Sequence, residues 1–149
     1  MGKVYDQVLM FKAKYPRTIT WFRLKKHSNV VETHLNSDEE PIYSFAGQLN
    51  DNNLDIIDTA VICVTNKRIL IGQKNLFFGY SLNSITPDLY NDMQVYGGAL
   101  FGLVTIDTVK ETINVSNLDK KALPEIETAI SSFMIEEKKK YPPRKPPEK

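Results

Sequence analysis

The chain has 149 residues, is 42% hydrophobic and 25% charged, and carries a formal net charge of +1. That length supports one domain with its own core, so neither a disulfide nor a metal is required for stability. The small net charge argues against a dedicated nucleic-acid binder, and the lone cysteine, Cys63, excludes an internal disulfide.

The opening stretch, "MGKVYDQVLMFKAKYP", has charges within its apolar run and no small-residue cleavage site, so a signal peptide is not expected. No apolar run approaches the roughly 20 residues of a membrane span, and a cytoplasmic protein is expected. Val4, Val8, Phe11 and Tyr15 recur at helical spacing. Pro16 ends this helix, because the residue before proline is pushed out of the α region. A second helix is expected from about Thr18, which can cap it. Its apolar residues lie on two sides, Ile19 with Phe22 and Trp21 with Leu24, so it wants two partners. Val30, Val31 and Leu35 suggest a further turn or two. Residues 1–36 carry seven Lys/Arg against two acids, whereas 37–58 carry six acids and no base. The expectation is a basic helical arm lying on an acidic edge of its own domain, or head-to-tail contact between chains.

From Pro41 the period changes to two. Residues 42–49 read as a first strand, 56–65 as a second, and 68–72 as a third after the turn Asn66-Lys67. The run "LFFGYSL" reads as a fourth strand. Residues 89–96 make a fifth, ended by the turn signal Gly97-Gly98. "LFGLVTIDT" and "TINVSN" form a last pair around Lys110-Glu111, which would set Ile106 opposite Val115 and Thr108 opposite Ile113. Seven short strands separated by turns indicate an antiparallel barrel or sandwich. A helix with apolar face Leu123, Ile126, Ile130, Phe133 and Met134 closes the domain, with Pro124 in its first turn. The Pro- and Lys-rich tail, 139–149, should be extended and mobile. The expected organisation is a helical extension (1–37), a barrel domain (38–138) and that tail, in the α+β class.

Around Asn66-Lys67 the expected register sets Val64 against Ile69, Cys63 against Leu70 and Ile62 against Ile71. Both faces of this hairpin are then apolar. One face fills the barrel, and the outer row, Val61, Cys63 and Leu70, must be covered by the N-terminal helices or by a second chain. Cys63 reads as a small buried hydrophobe rather than a reactive thiol.

Thr65, Asn66, Lys67, Arg68 and Ile69, followed by the aromatic-glycine run, "SLNSI", Gly97-Gly98, "LVTIDT", "INVSNL" and one amphipathic helix, together resemble the bacterial pleckstrin-homology-like (PH-like) domains. The resemblance is to the YokE-like type with a helical lead-in and covers roughly residues 38–138. It implies a seven-stranded bent barrel plugged at one end by a C-terminal helix. It also implies a domain that is not an enzyme, mostly of unknown function, with some relatives that form rings. Relatives that bind phosphoinositides use basic residues in the loop after the first strand. Here that loop, residues 50–55, is acidic and would repel such a headgroup.

No phosphate-binding glycine loop, nucleophile elbow or Cys-x-x-Cys is present in the sequence, and no cofactor is expected. His27 and His34 read as solvated, with too few ligands nearby for a metal. The consecutive Asp38, Glu39 and Glu40 point apart and should cap or solvate a junction. The expected function is non-catalytic binding or scaffolding, with a protein partner or a second copy of the chain, through apolar barrel surface. The candidate residues are Trp21, Phe77, Phe78, Tyr80, Lys67 and Arg68. The rival expectation is weak association with an anionic membrane through the basic N-terminal segment and the tail. One side of the aromatic run must lie outside the barrel, either covered by the N-terminal helices, the favoured expectation, or left for a partner.

Overall fold

The computed structural model describes residues 2–18, 22–50 and 58–140. Helices α1 (Lys3–Lys14) and α2 (Leu24–Glu32) precede seven strands: β1 (Pro41–Gln48), β2 (Thr59–Thr65), β3 (Ile69–Lys74), β4 (Tyr80–Ile85), β5 (Tyr90–Gly97), β6 (Gly102–Thr108) and β7 (Thr112–Leu118). A short 3-10 turn (Lys120–Ala122) then leads into α3 (Leu123–Lys138). The strands form one antiparallel sheet in the order β4-β3-β2-β1-β7-β6-β5. The expected α+β class and seven-stranded antiparallel architecture, with N-terminal helices and a C-terminal helix, are what the structure shows.

Because successive strand residues face opposite ways, an all-apolar strand buries two faces. Every residue of β2 is buried. Its inner face, with Ile62 and Val64, joins Phe45, Ile69 and Ile71, then Val104, Ile106 and Val115 from the far strands, and Ile126, Ile130 and Met134 from α3. Its outer face forms a second cluster. There Val61, Cys63 and Leu70 meet Val4 and Val8 of α1 and Leu24 and Val31 of α2. The N-terminal helices are therefore the cover that the hairpin requires. Each fully buried Val or Leu contributes about 1.5–3 kcal/mol, so a bare outer row would be costly.

Helix α1 also closes a gap in the sheet. Strand β1 pairs with β2 along its length but with β7 only at Gln48–Ser116 among the described residues. Along the remaining edge Gln7 donates to the Pro41 carbonyl (3.1 Å) and accepts from the Ser44 hydroxyl (2.7 Å). Phe11 packs 5.7 Å from Phe45 and 6.4 Å from Tyr43, ring centre to ring centre, inside the main core. Glu125 of α3 then accepts from Tyr43 (2.8 Å) and pairs with Lys14, so α1, β1 and α3 are tied together.

The β2–β3 register matches expectation, with Val64–Ile69, Cys63–Leu70 and Ile62–Ile71 paired. Neither Asn66 nor Lys67 has a positive φ, however, so the turn is not the left-handed kind. The Thr65 hydroxyl holds it instead, accepting from the N–H groups of Lys67 and Arg68 (both 3.0 Å). The same device corrects the β6–β7 register. Thr108 accepts from the N–H groups of Lys110 (3.3 Å) and Glu111 (3.0 Å), so the turn centres on Val109-Lys110. Ile106 then pairs with Ile113 and Val104 with Val115, two residues from the expected register, which leaves the side-chain faces unchanged.

Helix α2 begins at Leu24, not near Thr18, after Arg23 in the left-handed conformation (φ 56°). Thr18 is buried and its hydroxyl accepts from the Asp119 N–H (2.8 Å). The expectations for Ile19, Trp21, Ile56, Ile57, the acidic loop 51–55 and the tail from 141 fall outside the described residues. No helix among the described residues is long and apolar enough to cross a membrane.

Candidate docking surface

Strand β3 runs to Lys74, which pairs with Tyr80 at the start of β4, and residues 75–79 make the loop between them. The loop closes with a hydrogen bond from Asn75 N–H to the Gly79 carbonyl (3.1 Å). Gly79 has φ +72°, a conformation side chains rarely adopt. The aromatic run is therefore a loop tip, not the first half of a strand. Leu76, Phe77 and Phe78 are 51%, 81% and 89% exposed, so the expected cover by the N-terminal helices does not exist for them.

Three contacts mount this tip on α2 and the residues around it. Arg23 Nη1 donates to the Asn75 carbonyl (3.3 Å). His27 Nδ1 accepts from the Lys74 N–H (2.9 Å), which places the imidazole proton on Nε2. His34 lies 4.9 Å from the Tyr80 ring, centre to centre. Its Nδ1 bonds the Val30 carbonyl at 2.6 Å, so Nδ1 is the donor and Nε2 accepts from the Tyr80 hydroxyl (3.0 Å). The histidines expected to be solvated are thus structural. His27 is 1% exposed, and burial, followed by the charge of Arg23, pushes its pKa down to about 4. Lys74 and Tyr80 lie 47 and 46 residues from these histidines, which is why the pattern did not show the contacts.

The charged hairpin turn lies elsewhere and is fully engaged. Arg68 grips Glu39 through Nε and Nη2, both at 2.9 Å. It also donates to Ser84 (3.0 Å) and to the His34 carbonyl (3.3 Å). The Glu39 carboxylate also accepts from Thr65 (2.6 Å) and the Asn36 N–H (3.2 Å). Burial alone would raise the Glu39 pKa; the bonds from Arg68 and Thr65 overcome it and hold the carboxyl below the usual range. Asp38 pairs with Lys67, and Glu40 with Lys3 (2.8 Å). The three carboxylates do diverge, and each holds a different cation. Asn66 completes the staple, accepting from the Glu40 N–H (2.8 Å). The Thr-Asn-Lys-Arg turn pins the segment that leads from the helices into β1.

Of the candidate residues, the structure brings together Phe77, Phe78 and Tyr80. Lys67 and Arg68 belong to the staple, and Trp21 lies outside the described residues. The Cys63 thiol, fully buried, is pushed up to about 12 by burial. No group of three or more His, Cys, Asp or Glu that could hold a metal occurs among the described residues. A cleft of about 400 Å³ between β4 and β7 is lined by Gln73, Ser81, Asn83 and Asn114. Among the described residues its one ionisable lining group is Glu111, which accepts from Asn83 (2.7 Å).

Similar solved structures include a DUF1696-family protein with a pleckstrin-homology domain from Shewanella loihica PV-4. It is 14% identical over 76% of this chain and 98% of that one, with a TM-score of 0.47. Another is a pleckstrin-homology domain from Shewanella amazonensis SB2B, 15% identical over 77% of this chain and 90% of that one, with a TM-score of 0.48. No curated protein matches the chain. The family model for the bacterial PH domain matches residues 35–132, from just before the Glu39–Arg68 staple into α3, and the chain belongs to that family.

Proposed function

We propose that this chain is a non-catalytic docking module and that the β3–β4 tip is its docking element. Membership of a PH-domain family supports a binding or scaffold role. The observation that carries the reading is the adjacent pair Phe77 and Phe78, 81% and 89% exposed, on a loop held at its base by Arg23, His27 and His34. Isolated exposed apolar side chains are ordinary, but two neighbouring phenylalanines with Leu76 and Tyr80 make a contiguous patch of the kind that marks an interaction site. Neither ring belongs to either core cluster of the described residues.

The test is fractionation of native-host lysates containing the chain or its F77S/F78S variant. The wild type should migrate with a larger assembly or a particulate fraction, and the variant as a free 17.0 kDa chain. Identical migration of the two would contradict the reading. Sedimentation velocity of the purified chain tests a second copy as the partner. A mass that rises with concentration, and does so only with the phenylalanines present, would assign the patch to self-association.

A further inference from the structure

Taking the tip as the docking element, we infer that the surface it docks on is an anionic lipid bilayer, with Phe77 and Phe78 entering the interface and a basic collar facing the headgroups. The collar is built by two separate stretches of chain. Arg23, Lys25 and Lys26 stand at the start of α2, with both lysines exposed, and Lys74 ends β3. Arg23 is bonded to the loop itself at Asn75 (3.3 Å). Arg23, Lys74 and Leu76 line one shallow cleft of about 360 Å³ at the base of the tip. Residues 22–31 and 73–85 contain these four bases and no acid. Among the described residues the one acid lining that cleft is Asp58, which accepts from Gln73 Nε2 (2.6 Å).

The shape favours lipid over protein. Side chains that are 81% and 89% bare stand clear of their neighbours. A protein partner must offer a preformed cavity for such a projection, whereas lipid flows around it. Stable attachment to a bilayer needs two signals, an apolar anchor and a polybasic patch, and the fold places both at one end. The collar also supplies charge complementarity that the acidic loop after β1 cannot, and it is independent of the Lys-rich tail.

Co-sedimentation of the full chain with vesicles of mixed phosphatidylglycerol and phosphatidylcholine, and with phosphatidylcholine alone, tests this. The chain should bind the anionic vesicles only, and high salt should release it. Substitutions F77S/F78S and K25S/K26S should each weaken binding by about tenfold or more, while R144S/K145S in the tail should leave it intact. Binding that survives F77S/F78S, or that the tail variant abolishes while K25S/K26S does not, would overturn the inference. So would a wild-type chain that ignores anionic vesicles at low salt. If F77S/F78S still altered migration in host lysates in that case, the tip would remain the docking element and its partner would be a protein. If it did not, the docking reading would fall as well.

Discussion

Gly72 of β3 lies so close beneath Val31 of α2 that a methyl group on the glycine would stand 2.6 Å from Val31 Cγ2. This contact lets α2 lie flush on the outer face of the hairpin, where Leu24 and Val31 cover Val61, Cys63 and Leu70. The substitution Gly72→Ala should push the helix outward and cost about 1–3 kcal/mol, read as a lower Tm by calorimetry. Gly97→Ala is the control. Its added methyl would meet nothing closer than 3.7 Å, and its Tm should stay much nearer the wild type.

The Glu39–Arg68 pair makes a second expectation. The Glu39 side chain is wholly buried, and that of Arg68 is 19% exposed. Removing Arg68 alone leaves a buried carboxylate without its cation. Arg68→Met should cost about 3–5 kcal/mol in urea unfolding. Replacing both residues with methionine should recover most of that loss, because the desolvation penalty goes with the charges. A double variant no more stable than Arg68→Met would show that the pair is not the source of the effect.

Stability should also fall on mild acidification, through His27. Its pKa is about 4 in the fold, against 6.5 for the free side chain. Between those values the unfolded chain binds a proton that the folded chain does not, so stability rises with pH across this window and is lost as pH falls through it. His27→Gln, whose amide oxygen can still accept from the Lys74 N–H, should flatten the dependence of unfolding free energy on pH over that range. Glu39, held below the ordinary carboxylate range, contributes its own loss only at lower pH, as the medium falls through its folded pKa. An unchanged slope in the His27 variant would contradict the assignment.

What the sequence made legible was what repeats locally. The two apolar faces of β2 and β3 follow from alternation, and so does the need for a cover. The β6–β7 register was missed by two residues because the turn is set by a hydroxyl rather than by a backbone preference. The clue lay in the parallel between Thr65-Asn66-Lys67-Arg68 and Thr108-Val109-Lys110-Glu111, each a threonine followed two residues later by lysine. The aromatic run read as strand because phenylalanine and tyrosine favour strands. Gly79 and the Asn75–Gly79 bond turn it into a tip. The roles of His27 and Glu39 could not be read, because their partners lie 47 and 29 residues away in the chain.

Helices α1 and α2 shield the outer row of the β2–β3 hairpin, and α2 with its flanking residues holds the docking tip. Cys63 sits in that row, fully buried, and is the chain's single cysteine, so thiol labelling reports on the shield directly. In the native chain Cys63 should not react with a thiol reagent, and labelling should appear only across the urea unfolding transition. Rapid labelling of Cys63 without denaturant would contradict the account.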